Sequence, residues 1–442
     1  MTSPSSGPHR RRSPSVLSLA VPALVVLAAE PLYLLVDTAV VGHLGTVPLG
    51  GLAVGGGLLA WAAGLMNFLA YGTTARSARR AGAGDRAGAV SEGVQATWLA
   101  LGLGLSVLVA FQLLAGPLAR VLAGGPGAVA EAGEQWLRIA SIGAPLLLVS
   151  MAGNGWLRGV QELRRPVRYV LAGSLVSLVL CPLLVYPAGW GLAGSAVANV
   201  AGQAVAAALF LRALIREQVA WRLRATAVRA QLVIGRDLFL RAAILQIAFL
   251  AAAGVAARAG GVALGAHQIA LQLFLFLALV LDSYAIAAQT LVGQALGRGS
   301  PSEARATARR VALWGLGTGL VIGLLLLALR DVVLPLFTGD PAVVDQAETV
   351  WWFLAGMQPL AGLVFALDGV LIGAGDVAYL RTVTIGSALL GFLPLSLLAL
   401  PLHWGLSGVW TGLTVFIVLR LAATVVRVAG TRWLGPPETV TT

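Results

Sequence analysis

Twelve apolar runs, each about 20 residues long and bounded by charge or by Gly and Pro, dominate this chain. They lie near 16–42, 49–71, 91–115, 135–157, 167–187, 190–213, 238–258, 262–290, 306–329, 349–374, 380–400 and 404–428. Hydrocarbon offers backbone amides no hydrogen-bond partner, so runs of this length are accommodated as helices that satisfy themselves. Of 442 residues, 58% are hydrophobic and 11% charged, outside the range of a soluble domain. The predicted fold is an all-α polytopic membrane protein with twelve transmembrane helices.

The second half repeats the first. On an offset of 215, Gly45 falls on Gly260, Leu49 on Leu264, Gly50 on Gly265, Gly82 on Gly297, Gly84 on Gly299, and Gly102 and Gly104 on Gly317 and Gly319. One residue is then lost. On 214, Gly155 and Gly159 fall on Gly369 and Gly373, and Pro187, Trp190, Gly191, Leu192 and Gly194 fall on Pro401, Trp404, Gly405, Leu406 and Gly408. Glycines in register mark close packing or turns, which predicts two pseudo-symmetric six-helix lobes. Their expected limits are 16–214 and 237–429, joined by a basic linker over 215–236 and flanked by tails 1–15 and 430–442. Two like bundles in a membrane imply a transporter with its substrate site between them.

Arginine placement predicts the orientation. All 30 basic residues are Arg. With the N-terminus inside, the inner face receives Arg10 to Arg12, Arg76, Arg79, Arg80, Arg86, Arg158, Arg164, Arg165, Arg168, Arg212 through Arg241, Arg298, Arg305, Arg309, Arg310, Arg381, Arg420, Arg427 and Arg432. The outer face keeps Arg120, Arg138, Arg258 and Arg330, so both termini are expected on the cytoplasmic side of the cell membrane. The net charge of +12 then faces anionic lipid and does not indicate nucleic acid. The polar stretch MTSPSSGPHRRRSPS reads as a disordered tail without a cleavage site, expected to be retained. The seven arginines of 212–241, with Trp221, suggest an amphipathic connector on the inner leaflet. The single cysteine, Cys181, excludes an internal disulfide.

Charge inside the apolar runs carries the chemistry, because it is costly to place in hydrocarbon. Four acids lie at depth: Glu30, Asp37, Asp282 and Asp368. Carboxyls so placed are candidates for binding and releasing protons near neutral pH. No arginine is expected at that depth to neutralise them. Asp282 corresponds to Asn67 and Asp368 to Asn154, polar positions in both halves that equally suit helix-to-helix hydrogen bonds. Asp37 corresponds to Ala252 and Glu30 to Leu245, so these two acids belong to the first lobe alone. They are seven residues apart, about two turns, on one helical face. Pro22 and Pro31 interrupt that helix and predict a gating bend, or a static kink.

The stretches EPLYLLVDTAVVGHLG (30–45), GRDLFLR (235–241), GAHQIALQLFLFLALVLDSYAIAAQTLVGQALG (265–297) and LDGVLIGAGDVAYL (367–380) resemble the multidrug and toxic compound extrusion (MATE) family. The similarity is greatest to its DNA-damage-inducible (DinF-type) branch and runs from about Leu17 to Arg427. The resemblance implies two six-helix lobes around a central cavity, exporting organic compounds by alternating access driven by proton or sodium entry. It places Asp37 at the branch's coupling aspartate and Pro22 at the bend of the first helix. The branch faces this aspartate with an Asn and an Asp one turn apart on the fifth helix and a Thr on the sixth. Aligned on GWGLAG (189–194), those positions are Ser177, Cys181 and Asn199, a departure that loses a carboxylate.

Sodium needs several hard oxygen ligands with negative charge, whereas a proton needs one carboxyl, so the altered cluster favours protons. An acidic interior free of arginine, near Tyr33, Trp61, Met66, Phe68, Tyr284 and Met357, would suit lipophilic organic cations. The alternatives are a sodium-coupled exporter, a lipid flippase of the wider superfamily and a major facilitator transporter, suggested by the basic loop ARSARRAGAGDRAG (75–88). A membrane enzyme finds no support: His9, His43, His267 and His403 are scattered, and no HExxH or phosphate loop occurs. No cofactor is expected, and the chain is expected to act as a monomer.

Overall fold

The computed structural model describes residues 15–435. The N-terminal tail with His9 and Arg10 to Arg12, and residues 436–442, lie outside the described residues. Twelve helices are long and apolar enough to cross a membrane. They are α1 (Val16–Gly42), α2 (Thr46–Gly82), α3 (Arg86–Leu122), α4 (Ala128–Gly159), α5 (Arg164–Val185) and α6 (Gly191–Ile215). The second set is α7 (Ala225–Arg258), α8 (Gly261–Gly297), α9 (Pro301–Ala328), α10 (Pro341–Ala374), α11 (Val377–Leu398) and α12 (Gly405–Ala429). Among the described residues there is no strand. Several helices run beyond the apolar runs because their last turns stand at the polar surface, where charged residues are tolerated.

The repeat written in the glycines is a repeat of packing. A Cβ at Gly155 would meet the Ala70 carbonyl oxygen at 2.5 Å, and one at Gly369 would meet the Ala285 carbonyl carbon at 2.7 Å, the corresponding residue of the other copy. Gly104 lies against Pro145, and Gly319 against the corresponding Pro359. Lipid tails are as apolar as the side chains, so helix association here depends on such close approach. Gly45 and Gly260 both turn the chain with φ of +118°. Gly102 and Gly317 match in sequence, yet nothing lies within 4 Å of either added Cβ. Gly369→Val is therefore expected to lower stability by about 1–3 kcal/mol through overpacking against backbone. Gly317→Val should cost much less, as thermal unfolding of the two purified variants in detergent would show.

The lobes meet at their arginine-bearing ends, where α2 crosses α8. Gly82 lies on the backbone of Gln294, and Gly297 on the backbone of Arg79, which is the counterpart of Gln294. The Arg79 guanidinium donates to the Ala374 carbonyl at 2.6 Å, and the Gln294 amide donates to the Gly159 carbonyl at 3.0 Å. Each lobe thus grips the end of the other's long helix, α10 or α4. One apolar core joins Val16, Leu19 and Ala20 of α1 to Leu291, Val292 and Ala295 of α8 at this end. The C-terminal lobe keeps its own core around Trp351, Phe392 and Trp410. Outward-facing side chains such as Val121, Leu250 and Leu113 are 72–83% exposed, the apolar coat expected of a bilayer-facing surface.

The connection between the lobes is strapped to α3. Gln95 donates to the Arg222 carbonyl at 2.8 Å and accepts from the Arg224 amide at 2.8 Å, while Arg86 pairs with Glu217 at 2.9 Å. Trp221 stacks edge-on against Trp98. Helix α7 starts at Ala225, within the expected linker.

Candidate functional site

Asp37 is fully buried on α1. Its Oδ1 accepts from the Ser195 hydroxyl at 2.7 Å and from the Cys181 thiol at 3.1 Å, while Oδ2 is buried without a partner. The Trp136 indole N–H donates to the Ser195 oxygen at 3.2 Å, orienting that hydroxyl toward Asp37. Four helices, α1, α4, α5 and α6, thus converge on one carboxyl group. Only one of its oxygens is satisfied, and the other is free to carry a proton.

The polar cluster inferred from the resemblance divides in two. Cys181 touches Asp37, whereas Ser177 donates to the Ala198 carbonyl at 3.0 Å. Ser177 and Asn199 stand with the Tyr33 hydroxyl, one turn of α1 before Asp37. Ser195, which sequence reasoning missed, supplies the hydroxyl that meets the carboxylate. The signal was available in the repeat: Ser195 corresponds to Val409, so it is polar in one copy alone, as Asp37 is against Ala252.

A cavity of about 370 Å³ opens beside this cluster. It belongs almost wholly to the N-terminal lobe, between α1, α2, α4, α5 and α6, with Leu279 of α8 closing one side. Glu30, Tyr33, Asn67, Asn154, Ser177 and Asn199, all singled out from the sequence, lie on its wall. Pro31 is also there, while Pro22 lies nearer the start of α1; both sit inside one continuous helix. Asn67 interrupts α2, separating helices Thr46–Met66 and Phe68–Gly82, whereas α8 runs unbroken through the corresponding Asp282. Of the aromatic and soft residues named from the sequence, Tyr33 lines the cavity, together with Tyr71 and Met151, which the sequence did not single out. Met357 and Tyr284 are core residues, Phe68 packs on Gly235, and Trp61 is 53% exposed on the surface.

The expectation of an interior free of arginine is overturned. Arg158 of α4 is buried on the cavity wall. Arg241 of α7 and Arg420 of α12 both donate to Asp368 Oδ2, and Arg420 also lies over the Phe416 ring at 5.2 Å. Arg158 stands at the end of α4, but Arg241 lies midway along α7 and Arg420 more than two turns inside α12, so their assignment to the inner face placed them too shallow. Their flexible stems reach back toward the buried acids. Asp282 Oδ2 accepts from the Tyr71 hydroxyl at 2.5 Å, a bond that crosses from one lobe to the other. Asp368 is therefore half of an ion-paired core, and Asp282 is part of the seam.

The repeat explains why the matching space of the C-terminal lobe is filled. Lining residues Val26, Leu34, Gly202 and Ala206 correspond to Arg241, Phe249, Phe416 and Arg420. In the C-terminal lobe, Phe249, Phe392 and Phe416 pack ring against ring, and the Arg241–Asp368–Arg420 group closes the remainder. One backbone plan thus gives a hollow lobe and a filled one, with the larger side chains of the second copy occupying the space.

Comparison with known proteins agrees with this architecture. The MatE family model matches residues 22–183 and 238–397, one match in each lobe. DNA damage-inducible protein F of Escherichia coli (strain K12) is 33% identical over 91% of this chain and 89% of its own. The protein DETOXIFICATION 44, chloroplastic, of Arabidopsis thaliana is 31% identical over 95% of this chain and 82% of its own. A crystal structure of a MATE protein in the bent conformation superposes with a TM-score of 0.85 at 21% identity, covering 94% of this chain and 95% of that one. Another, an outward-facing MATE family transporter, gives 0.83 at 21%, covering 94% and 96%. With both halves matched and the two-lobe fold shared, this chain is a multi-pass membrane transporter belonging to the MATE family.

Proposed function

We propose that this transporter exports organic compounds in exchange for protons, with Asp37 as the proton-carrying group. The observation that supports this most is the half-satisfied carboxylate: Oδ1 held by Ser195 and Cys181, Oδ2 buried without a partner. A protonated Asp37 can donate from Oδ2. An ionised one leaves a charge that its two donors only partly compensate, so the two states favour different packings of α1 against α5 and α6. One hydroxyl and one thiol are a poor ligand set for sodium, which prefers several hard oxygens.

Substrate occupies the cavity next to this carboxyl. Glu30 faces the cavity and Tyr33 separates it from Asp37, so a cationic group can be held there by charge and by the aromatic face. The lobes alternate by parting at the α2–α8 crossing, whose grip is a small set of hydrogen bonds and packed glycines. The arginine-bearing ends and both termini face the cytoplasm. The test is efflux of a fluorescent lipophilic cation from proteoliposomes under an imposed proton gradient or an imposed sodium gradient. Efflux that follows the proton gradient is expected, and efflux that follows sodium alone would overturn the assignment of the ion.

A further inference from the structure

We propose that Arg158 is an anion-recognition point in this cavity and that it takes the carboxylate of an organic substrate. The proposal rests on the transport reading above, which it extends from what Glu30 can hold to a second, opposite group on the substrate. The side chain of Arg158 is 4% exposed and reaches the cavity wall, yet it makes no hydrogen bond or ion pair among the described residues. Tyr71 and Asp282 are the groups close enough to interact with it through space, and the Asp282 oxygen Oδ2 is already taken by the Tyr71 hydroxyl. Arg241 and Arg420, by contrast, share Asp368. Among these buried groups, three arginines face two aspartates, and the surplus positive charge is the one at the cavity.

The scaffold does not need this arginine. Its counterpart in the C-terminal lobe is Ile372, buried at the same place on α10 with the same glycines around it. Arg158 has its nitrogens open to the cavity, so a ligand anion can reach them and supply the partner that the protein does not. One turn before it on α4 stands Asn154, whose side-chain oxygen Oδ1 is buried without a partner. Turned about, that amide offers N–H to the same anion. The planar fork of Arg158 matches two carboxylate oxygens, so the site prefers a carboxylate to a single acceptor. Glu30 on α1 holds a basic group of the same molecule where it has one.

Two probes that share a fluorophore test the proposal on purified protein in detergent: dansylglycine, a carboxylate, and dansylcholine, a quaternary ammonium. Binding is read by fluorescence anisotropy. Dansylglycine is expected to bind the unaltered protein and to weaken roughly tenfold or more in Arg158→Gln, the loss of one charge-assisted contact, while dansylcholine is not weakened. Asn154→Asp supplies Arg158 with the internal partner that Asp368 gives its arginines, and it carries the same test where Arg158→Gln does not fold. It is expected to abolish dansylglycine binding and to tighten dansylcholine. Absent binding of dansylglycine to the unaltered protein, unchanged affinity in the variants, or equal loss of both probes would each overturn the proposal. Arg158-dependent binding without gradient-driven movement of either probe would uphold the anion point and refute the transport reading on which its physiological use depends.

Discussion

Asp37→Asn is expected to abolish proton-driven efflux while leaving a folded protein. The amide keeps the shape of the carboxyl and can still accept from Ser195 and Cys181 through its oxygen. Its NH₂ occupies the position of Oδ2, imitating a permanently protonated acid. Folding should therefore be undisturbed, since no buried charge is created and no cavity is opened. What is lost is the change of state: a group that cannot release a proton cannot be reset by a gradient. The measurement is proteoliposome efflux under an imposed proton gradient, beside binding of the same compound to the purified variant. Retained binding with efflux at the level of empty liposomes is the expected pair. Efflux unchanged in Asp37→Asn would remove Asp37 from the mechanism and return the role to Glu30.

The second large effect concerns stability. Asp368→Asn would leave Arg241 and Arg420 buried with an amide that cannot compensate two guanidinium groups. Breaking a buried ion group from one side costs about 3–5 kcal/mol, because the remaining charge is left in a medium of low polarity. The yield of monodisperse protein should fall sharply. In Arg241→Met/Asp368→Asn/Arg420→Met, no charge remains, and the methionines keep most of the volume that the arginine stems fill around Phe416. Removing such a group as a unit is often close to neutral. Folded yield and thermal stability in detergent should recover most of the loss. This pattern would establish Asp368 as a structural acid. A folded but inactive Asp368→Asn would instead make it a transport residue.

The two variants separate acids that look alike in sequence. Asp37 and Asp368 each lie in an apolar run, and each is polar where hydrocarbon should exclude it. Their difference comes from neighbours 127 to 158 positions away: Cys181 and Ser195 for one, Arg241 for the other. Linear depth is a poor guide to arginine, whose long stem lets a residue near a helix end place its charge several ångströms further in. Arg158 is such a residue, whereas Arg241 and Arg420 lie well inside α7 and α12; counting all three with the polar face is why an acidic interior was expected. Asymmetry between the copies was the better signal. Ser195 against Val409, Ala206 against Arg420 and Arg158 against Ile372 all mark functional or structural differences between the lobes.

The sequence by itself determined the helical class, the twelve spans and the two-lobe repeat. Each follows from a local rule: a helix must satisfy its own backbone in hydrocarbon, and glycines in register impose the same helix contacts twice. It also put Asn67 and Asn154 on polar positions shared by both copies and Glu30 on one polar in the first lobe alone, and all three stand on one cavity wall. Only the tertiary structure decided that one lobe is hollow and the other filled, that Asp368 is paired, and that Arg158 stands unpartnered at the cavity. Those facts depend on which side chains meet across helices distant in the chain. The energy of a buried charge is set by such neighbours and not by its place in the sequence.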